Sequence, residues 1–170
     1  MAEIQLVRVD FRLIHGQVIT KWLRQTSANR IVIINDVLAA DDFMKNIYVM
    51  AAPPSIAVDV FSVDTAIDLW NKDQMGSGNL FVLFKDIETV YRSIQKGLPI
   101  KDIQIGGLGA GPGRVAVFGP ITLNEEDSVM LKELDEEGCN IYLHQVPDEP
   151  KMEIKKALEK FQSIKKIDIL

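Results

Sequence analysis

Residues 4–34 read IQLVRVDFRLIHGQVITKWLRQTSANRIVII, and this stretch decides the fold. Ile4 to Val9 is a β-rich run, and Arg30 to Ile34 is a second. Between them Val18 and Trp22, with Ile19 and Leu23, fall on one side of a helix. A strand, a helix and a strand in succession make a β-α-β unit. The rest of the chain repeats the alternation. Ala57 to Phe61, Leu80 to Phe84, Ile103 to Ile105 and Ile141 to Leu143 read as further strands. Met44, Ile47, Tyr48 and Ala51 recur at helical spacing, as do Val63, Ala66, Ile67 and Trp70, and Ile87, Val90, Tyr91 and Ile94. Asn124, followed by Glu125, Glu126 and Asp127, reads as a helix start, and Gly138 as its stop. A last helix is expected from about Lys151 to Phe161. Trp22, Trp70 and the methionines are expected in the core.

Apolar strands alternating with helices predict an α/β fold, an open, mainly parallel β-sheet with helices on both faces. Val115 to Leu123, broken by Gly119-Pro120, has room for one or two short strands, one of them antiparallel. Ligands in such folds bind outside the carboxyl ends of the strands.

Composition narrows the function. The 170 residues predict a single domain, 1–170, with no low-complexity segment and no repeat. Apolar residues at 47% and charged residues at 25% argue against extended disorder. A net charge of −5 without a basic stripe argues against nucleic acid as a partner. One cysteine, Cys139, excludes an internal disulfide and a cysteine-rich zinc site. The apolar runs are too short to span a membrane, and Met1-Ala2-Glu3-Ile4 does not open a signal peptide. The expected location is the cytoplasm.

Chemistry concentrates in Arg8-Val9-Asp10-Phe11-Arg12-Leu13-Ile14-His15-Gly16-Gln17, from the end of the first strand to the start of the next helix. His15 lies at the expected ligand edge. Gly16 allows an unusual backbone, and the helix beginning near Gln17 offers free amides and a positive dipole end to an anion. Arg12 is a fork suited to phosphate oxygens, and Asp10 could hold Arg12 or orient the imidazole. A neutral imidazole beside an anion cradle suits phosphoryl transfer, with no cofactor and no metal.

Other candidates are weaker. Gly106-Gly107-Leu108-Gly109-Ala110-Gly111-Pro112-Gly113-Arg114 lacks both the P-loop and the dinucleotide-binding spacing, so nucleotide binding is rejected. Arg114 is an accessory candidate for phosphate or for a docking partner. His144, after a strand, is a second accessory candidate at the same edge. Asn35-Asp36 and Asp41-Asp42 read as helix caps and turns, not metal ligands.

Asp10-Phe11-Arg12-Leu13-Ile14-His15-Gly16-Gln17-Val18 resembles the IIB component of the mannose/fructose/sorbose family of the bacterial sugar phosphotransferase system. That family carries R-[IV]-D-x-R-L-I-H-G-Q-V at this place. The resemblance extends to Asn35-Asp36, Ala52-Pro53-Pro54, Gly106-Gly107 and Val146-Pro147. It implies that His15 is the phosphoryl carrier, with Asp10, Arg12 and Gln17 in its loop. It implies a IIA phosphohistidine as donor and membrane IIC and IID components that present the sugar, with peripheral association at that permease. A homo-oligomer is compatible with it. Phe11 stands where many members have an acid. Gly109 to Gly113 replaces a stretch that mannose-type members fill differently, and is more similar to amino-sugar members such as those for N-acetylgalactosamine. No IIA domain precedes Met1, so a free-standing IIB subunit is expected. Two other readings stay open: a regulatory module binding phosphate or a phosphorylated ligand at the His15 loop, and a phosphohistidine-dependent hydrolase or mutase, for which Asp10 is the obvious acid or base.

Overall fold

A computed structural model describes the backbone of residues 1–169; the side chains of Gln17, Asp168 and Ile169 lie outside the described set. The Gln17 side chain, expected to bind phosphate, is therefore outside the description.

The elements are β1 (Glu3–Asp10), α1 (Gly16–Thr26), β2 (Arg30–Ile34), α2 (Asp36–Ala39), α3 (Asp42–Ala51), β3 (Ala57–Phe61), α4 (Val63–Asp73), β4 (Asn79–Phe84), α5 (Ile87–Gln95), β5 (Asp102–Gly107), β6 (Val115–Phe118), β7 (Ile121–Leu123), α6 (Glu125–Glu136), β8 (Asn140–Leu143), β9 (Met152–Glu153) and α7 (Ile154–Ile169). The main sheet has the order β3-β2-β4-β1-β5-β8-β9. All its pairs are parallel except β8 with β9. The strands are apolar on both sides because both faces are covered. Val7, Val9, Val32, Ile34, Val82 and Phe84 face residues of α4, α5, α6 and α7. Ile31, Ile33, Phe81 and Leu83 face α1 and α3, with Trp22 in that layer. The open, mainly parallel α/β sheet with helices on both faces is as the sequence predicts.

One open point is resolved and two details differ. Val115–Leu123 forms two short strands, β6 and β7, paired antiparallel in a hairpin of their own. The antiparallel member of the main sheet is β9, at Met152 and Glu153, where the sequence reading places a helix. Pro150 biases the preceding residue towards extended backbone. The chain then pairs Met152 with Leu143 and Glu153 with Tyr142 before α7 starts at Ile154. The second difference concerns the core. Met75 and Met152 are buried, but Met1 and Met50 are exposed, and Trp70 is only partly buried. Helix α3 buries no residue fully. Its helical spacing is real, but its apolar side chains point both towards the sheet and away from it.

Among the described residues, no helix is long and apolar enough to cross a membrane. The topology also fixes where chemistry can occur. From β1 the chain leaves through α1 to β2 on one side; from β5 it leaves through the hairpin and α6 to β8 on the other. The crevice between β1 and β5 is thus a topological switch point, open at the carboxyl ends of the strands.

Candidate phosphoryl-accepting site

The loop from Asp10 to Gly16 sits at that crevice. The Leu13 amide donates to the Asp10 carbonyl at 2.9 Å, closing a tight turn. Leu13 takes a left-handed backbone (φ 56°) and is fully buried among the residues packed on α1. An L-residue pays strain for that conformation, so the burial of Leu13 and Ile14 is what holds the loop in shape. Gly16, at φ +49°, completes the turn into α1.

His15 is the N-cap residue of α1, and its side chain makes no capping hydrogen bond. The contrast with the other helices is informative. Asn35, Asp41, Ser62, Asp86 and Asn124 cap α2 to α6, each accepting a backbone amide. No acid occupies the first turn of α1. Its opening amides and positive dipole end thus remain available to an anion beside His15.

Asp10 organises the side chains. Its Oδ2 is 3.0 Å from His15 Nε2. The same oxygen accepts from Arg8 Nη2 at 3.2 Å. Its Oδ1 accepts from the Arg12 amide at 3.0 Å and from Arg12 Nε at 3.2 Å. Asp10 is fully buried, whereas the side chains of His15 and Arg12 are 20% and 37% exposed. Burial pushes the Asp10 carboxyl up. The hydrogen bond to His15, the Arg8 charge and the Arg12 amide outweigh it and hold Asp10 below the usual carboxylate range. A carboxylate only accepts hydrogen bonds, so His15 Nε2 carries the proton and Nδ1 of the neutral ring keeps its lone pair.

Arg8 belongs to the cluster, although sequence reasoning gave it no role. Its guanidinium also donates to Gln104 Oε1 on β5 and to the carbonyls of His144 and Gln145 beyond β8. The Gly106-Gly107 pair has a steric role rather than a phosphate-cradling one. A methyl at Gly106 would overlap the Arg8 guanidinium, and one at Gly107 would lie 2.9 Å from Asp10 Oδ1 and 3.0 Å from Arg12 Nη2. Only bare backbone on β5 leaves room for these side chains.

Phe11 lies at the rim, 41% exposed, with its ring over Gly109 and the Arg12 guanidinium 5.4 Å from the ring centre. The other candidates take different places. Arg114 donates to Thr122 Oγ1, the Thr122 carbonyl and Asp127 Oδ2, tying the hairpin to α6. Among the described residues it makes no hydrogen bond to Asp10, Arg12 or His15. The His144 ring packs edge-on against Trp22 and pairs with the Glu149 carbonyl. His144 reaches the cluster only through its backbone carbonyl, which Arg8 holds.

Comparisons with known proteins place the chain and its fold in a family. Residues 4–168 match the family model described as the PTS system sorbose subfamily IIB component. The sorbose-specific EIIB component of Klebsiella pneumoniae is 33% identical over 152 residues, covering 89% of this chain and 93% of that protein. The mannose-specific EIIAB component of Escherichia coli K12 is 30% identical over 157 residues. The chain spans about half the length of that relative, 49%, and 92% of this chain is matched. Among solved structures, manxB from Thermoanaerobacter tengcongensis superposes with a TM-score of 0.88 at 41% identity, covering 95% of this chain and 98% of that one. The N-acetylgalactosamine-specific IIB component 1 of Escherichia coli superposes with a TM-score of 0.83 at 25% identity, covering 89% and 99%.

Proposed function

The chain belongs to the sorbose subfamily of IIB components of the sugar phosphotransferase system, and on that premise we propose that His15 accepts a phosphoryl group from the phosphohistidine of a IIA partner and passes it to a sugar during uptake. The observation that carries the reading is the Asp10–His15 contact, 3.0 Å long, at the uncapped start of α1. Because Nε2–H donates its hydrogen bond to the Asp10 carboxylate, Nδ1 is the nucleophile. Its lone pair attacks the donor phosphorus as the donor P–N bond breaks and that electron pair returns to the donor ring. The accepting ring becomes positively charged as the Nδ1–P bond forms, and the Asp10 carboxylate beside Nε2–H stabilises that charge. Phosphoryl oxygens are met by the first-turn amides of α1, with the Gly16 backbone at the turn, and by Arg12. Arg12 is near enough to be fixed by Asp10 and exposed enough to reach outward. In transfer to the sugar a hydroxyl oxygen attacks phosphorus, the Nδ1–P bond breaks with its electron pair returning to Nδ1, and the hydroxyl proton leaves to solvent or to a base beside the sugar.

The rim suits transient docking. Phe11 stands exposed beside the Arg12 guanidinium, and a modest, partly polar interface of this kind lets one edge meet two partners in turn. In this reading residues 1–170 act as one domain in the cytoplasm, meeting the IIC/IID permease peripherally. The amino-sugar reading, N-acetylgalactosamine, rests on the Gly109–Gly113 loop. The whole chain is 26% identical to an N-acetylgalactosamine-specific IIB component of Escherichia coli K12, against 33% for the sorbose-specific protein of Klebsiella pneumoniae. The test is phosphorylation of the purified protein from phosphoenolpyruvate through the general phosphotransferase proteins and a matched IIA, with His15→Ala in parallel. An acid-labile, base-stable label on wild type alone supports the relay. Phosphate binding without a covalent label favours the regulatory module instead, and steady release of inorganic phosphate favours the hydrolase.

A further inference from the structure

We infer that Arg8 is a positioning residue for the accepting pair: its buried guanidinium, anchored by β5 and by the turn after β8, holds the Asp10 carboxylate against His15 Nε2 and couples its own charge to the pair. This deepens the reading of His15 as the acceptor and rests on it. Arg8 touches neither Nδ1 nor the place of the phosphoryl group, so it acts only through Asp10.

The environment of Arg8 is costly to build. The side chain is 0% exposed on a strand whose neighbouring core positions, Val7 and Val9, are apolar. Its Nε has no hydrogen-bond partner among the described residues, nor does Gln104 Nε2. A buried charged cluster contributes little to stability compared with apolar residues of the same volume. Yet the anchoring is dense. Nη1 donates to the His144 carbonyl at 3.0 Å, and Nη2 donates to the Gln145 carbonyl at 3.0 Å and to Asp10 at 3.2 Å. The Trp22 ring of α1 lies 5.7 Å away, fixed by its own Nε1 donating to the Gln145 carbonyl.

Electrostatics gives this arrangement a purpose. A lone buried carboxylate beside an imidazole favours the imidazolium, which has no lone pair on Nδ1 and cannot attack phosphorus. Two cations, Arg8 and Arg12, oppose that tendency. Arg12 is partly exposed and screened by water, whereas Arg8 acts across a dry interior, where each charge counts for more. Tyr142 of β8 and His144, edge-on to Trp22, are the other titratable groups packed on this side. Neither contacts Asp10 or His15 by a hydrogen bond among the described residues.

The experiment is an NMR titration of unphosphorylated protein, reading the His15 ring nitrogens and the Asp10 carboxyl carbon, alongside the pH–rate profile of phosphorylation. Protons here belong to the pair, so the midpoint is read for the pair. In Arg8→Met the loss of a positive charge favours proton uptake by either member, and the midpoint should rise by about one pH unit, a ten-fold change in proton affinity. Transfer then falls several-fold near the wild-type midpoint and recovers at higher pH. Arg8→Lys keeps the charge, so its midpoint should stay with wild type while the rate drops evenly across pH. Gly106→Ala keeps Arg8 but pushes its guanidinium aside, and should raise the midpoint in the same direction. A folded Arg8→Met or Gly106→Ala protein with the wild-type midpoint overturns the inference and leaves Arg8 a structural staple. Should neither fold, wild type alone decides: the Arg8 Nη resonances must follow the titration of the pair, and their indifference overturns it. The titration needs no phosphoryl donor. Wild type that accepts no phosphate therefore sinks the proposed function without touching this result.

Discussion

Neighbouring strands of the main sheet are equally dry and chemically opposite. On β2 and β4, Ile31–Ile34 and Leu80–Phe84 are at most 1% exposed and entirely apolar. One strand over, on β1 and β5, Arg8, Asp10 and Gln104 are just as buried and form a charged, hydrogen-bonded cluster. Each apolar side chain of the first group stabilises the fold by about 1.5–3 kcal/mol through burial. The charged cluster returns little net stability, because desolvation offsets its attractions. β1 and β5 still bury Val7, Val9, Ile103 and Ile105 on their opposite face, so the charged cluster is confined to one face of these two strands, where the crevice between them opens to solvent.

That division can be broken deliberately. Asp10→Asn should have the largest effect. It leaves Arg8 buried without its countercharge, at a stability cost of about 3–5 kcal/mol. It also removes the anion that fixes the His15 tautomer, so transfer should fall by roughly 10²-fold or more in a rate assay on the folded fraction. Ile33→Ala, on the apolar side, should cost about 2–5 kcal/mol in denaturant unfolding. In that variant the folded protein should still accept phosphate at close to the wild-type rate. Equal damage to transfer by Ile33→Ala would erase the contrast. Arg12→Lys keeps a charge at the rim but loses the fork, and should slow transfer several-fold with an unchanged melting curve. Asn124→Ala, far from the crevice, removes the capping box of α6 and should cost about 1 kcal/mol with transfer unaltered.

The same contrast explains what was legible in the sequence. The apolar strands announce themselves locally: Arg30–Ile34 and Ala57–Phe61 read correctly to the residue. The meeting of His15 with Asp10 was legible because strand end, turn and helix start follow one another within a short segment. Arg8 was not. Its partners Gln104, His144 and Gln145 lie 96, 136 and 137 residues away and meet it only in the folded sheet. The available signal was an arginine two residues before an aspartate within an apolar strand, which puts both on one face. Arg114 shows the converse. It looks free beside a glycine-rich loop, but its partners Thr122 and Asp127 arrive through the β6–β7 hairpin, whose form the sequence left open. Helix α3 shows why a stripe fixes an element but not its burial. Its spacing identifies a helix, yet Met50 is 77% exposed while Met44 and Tyr48 face the sheet.

The central claim is that Asp10 occupies Nε2 of His15 and so leaves Nδ1 to take the phosphoryl group. The direct measurement is two-dimensional ¹⁵N–³¹P NMR on ring-labelled protein phosphorylated through its donor chain. The account predicts a phosphorus coupled to Nδ1 of His15, with Nε2 still protonated. Phosphorus on Nε2, or on any residue other than His15, would contradict it.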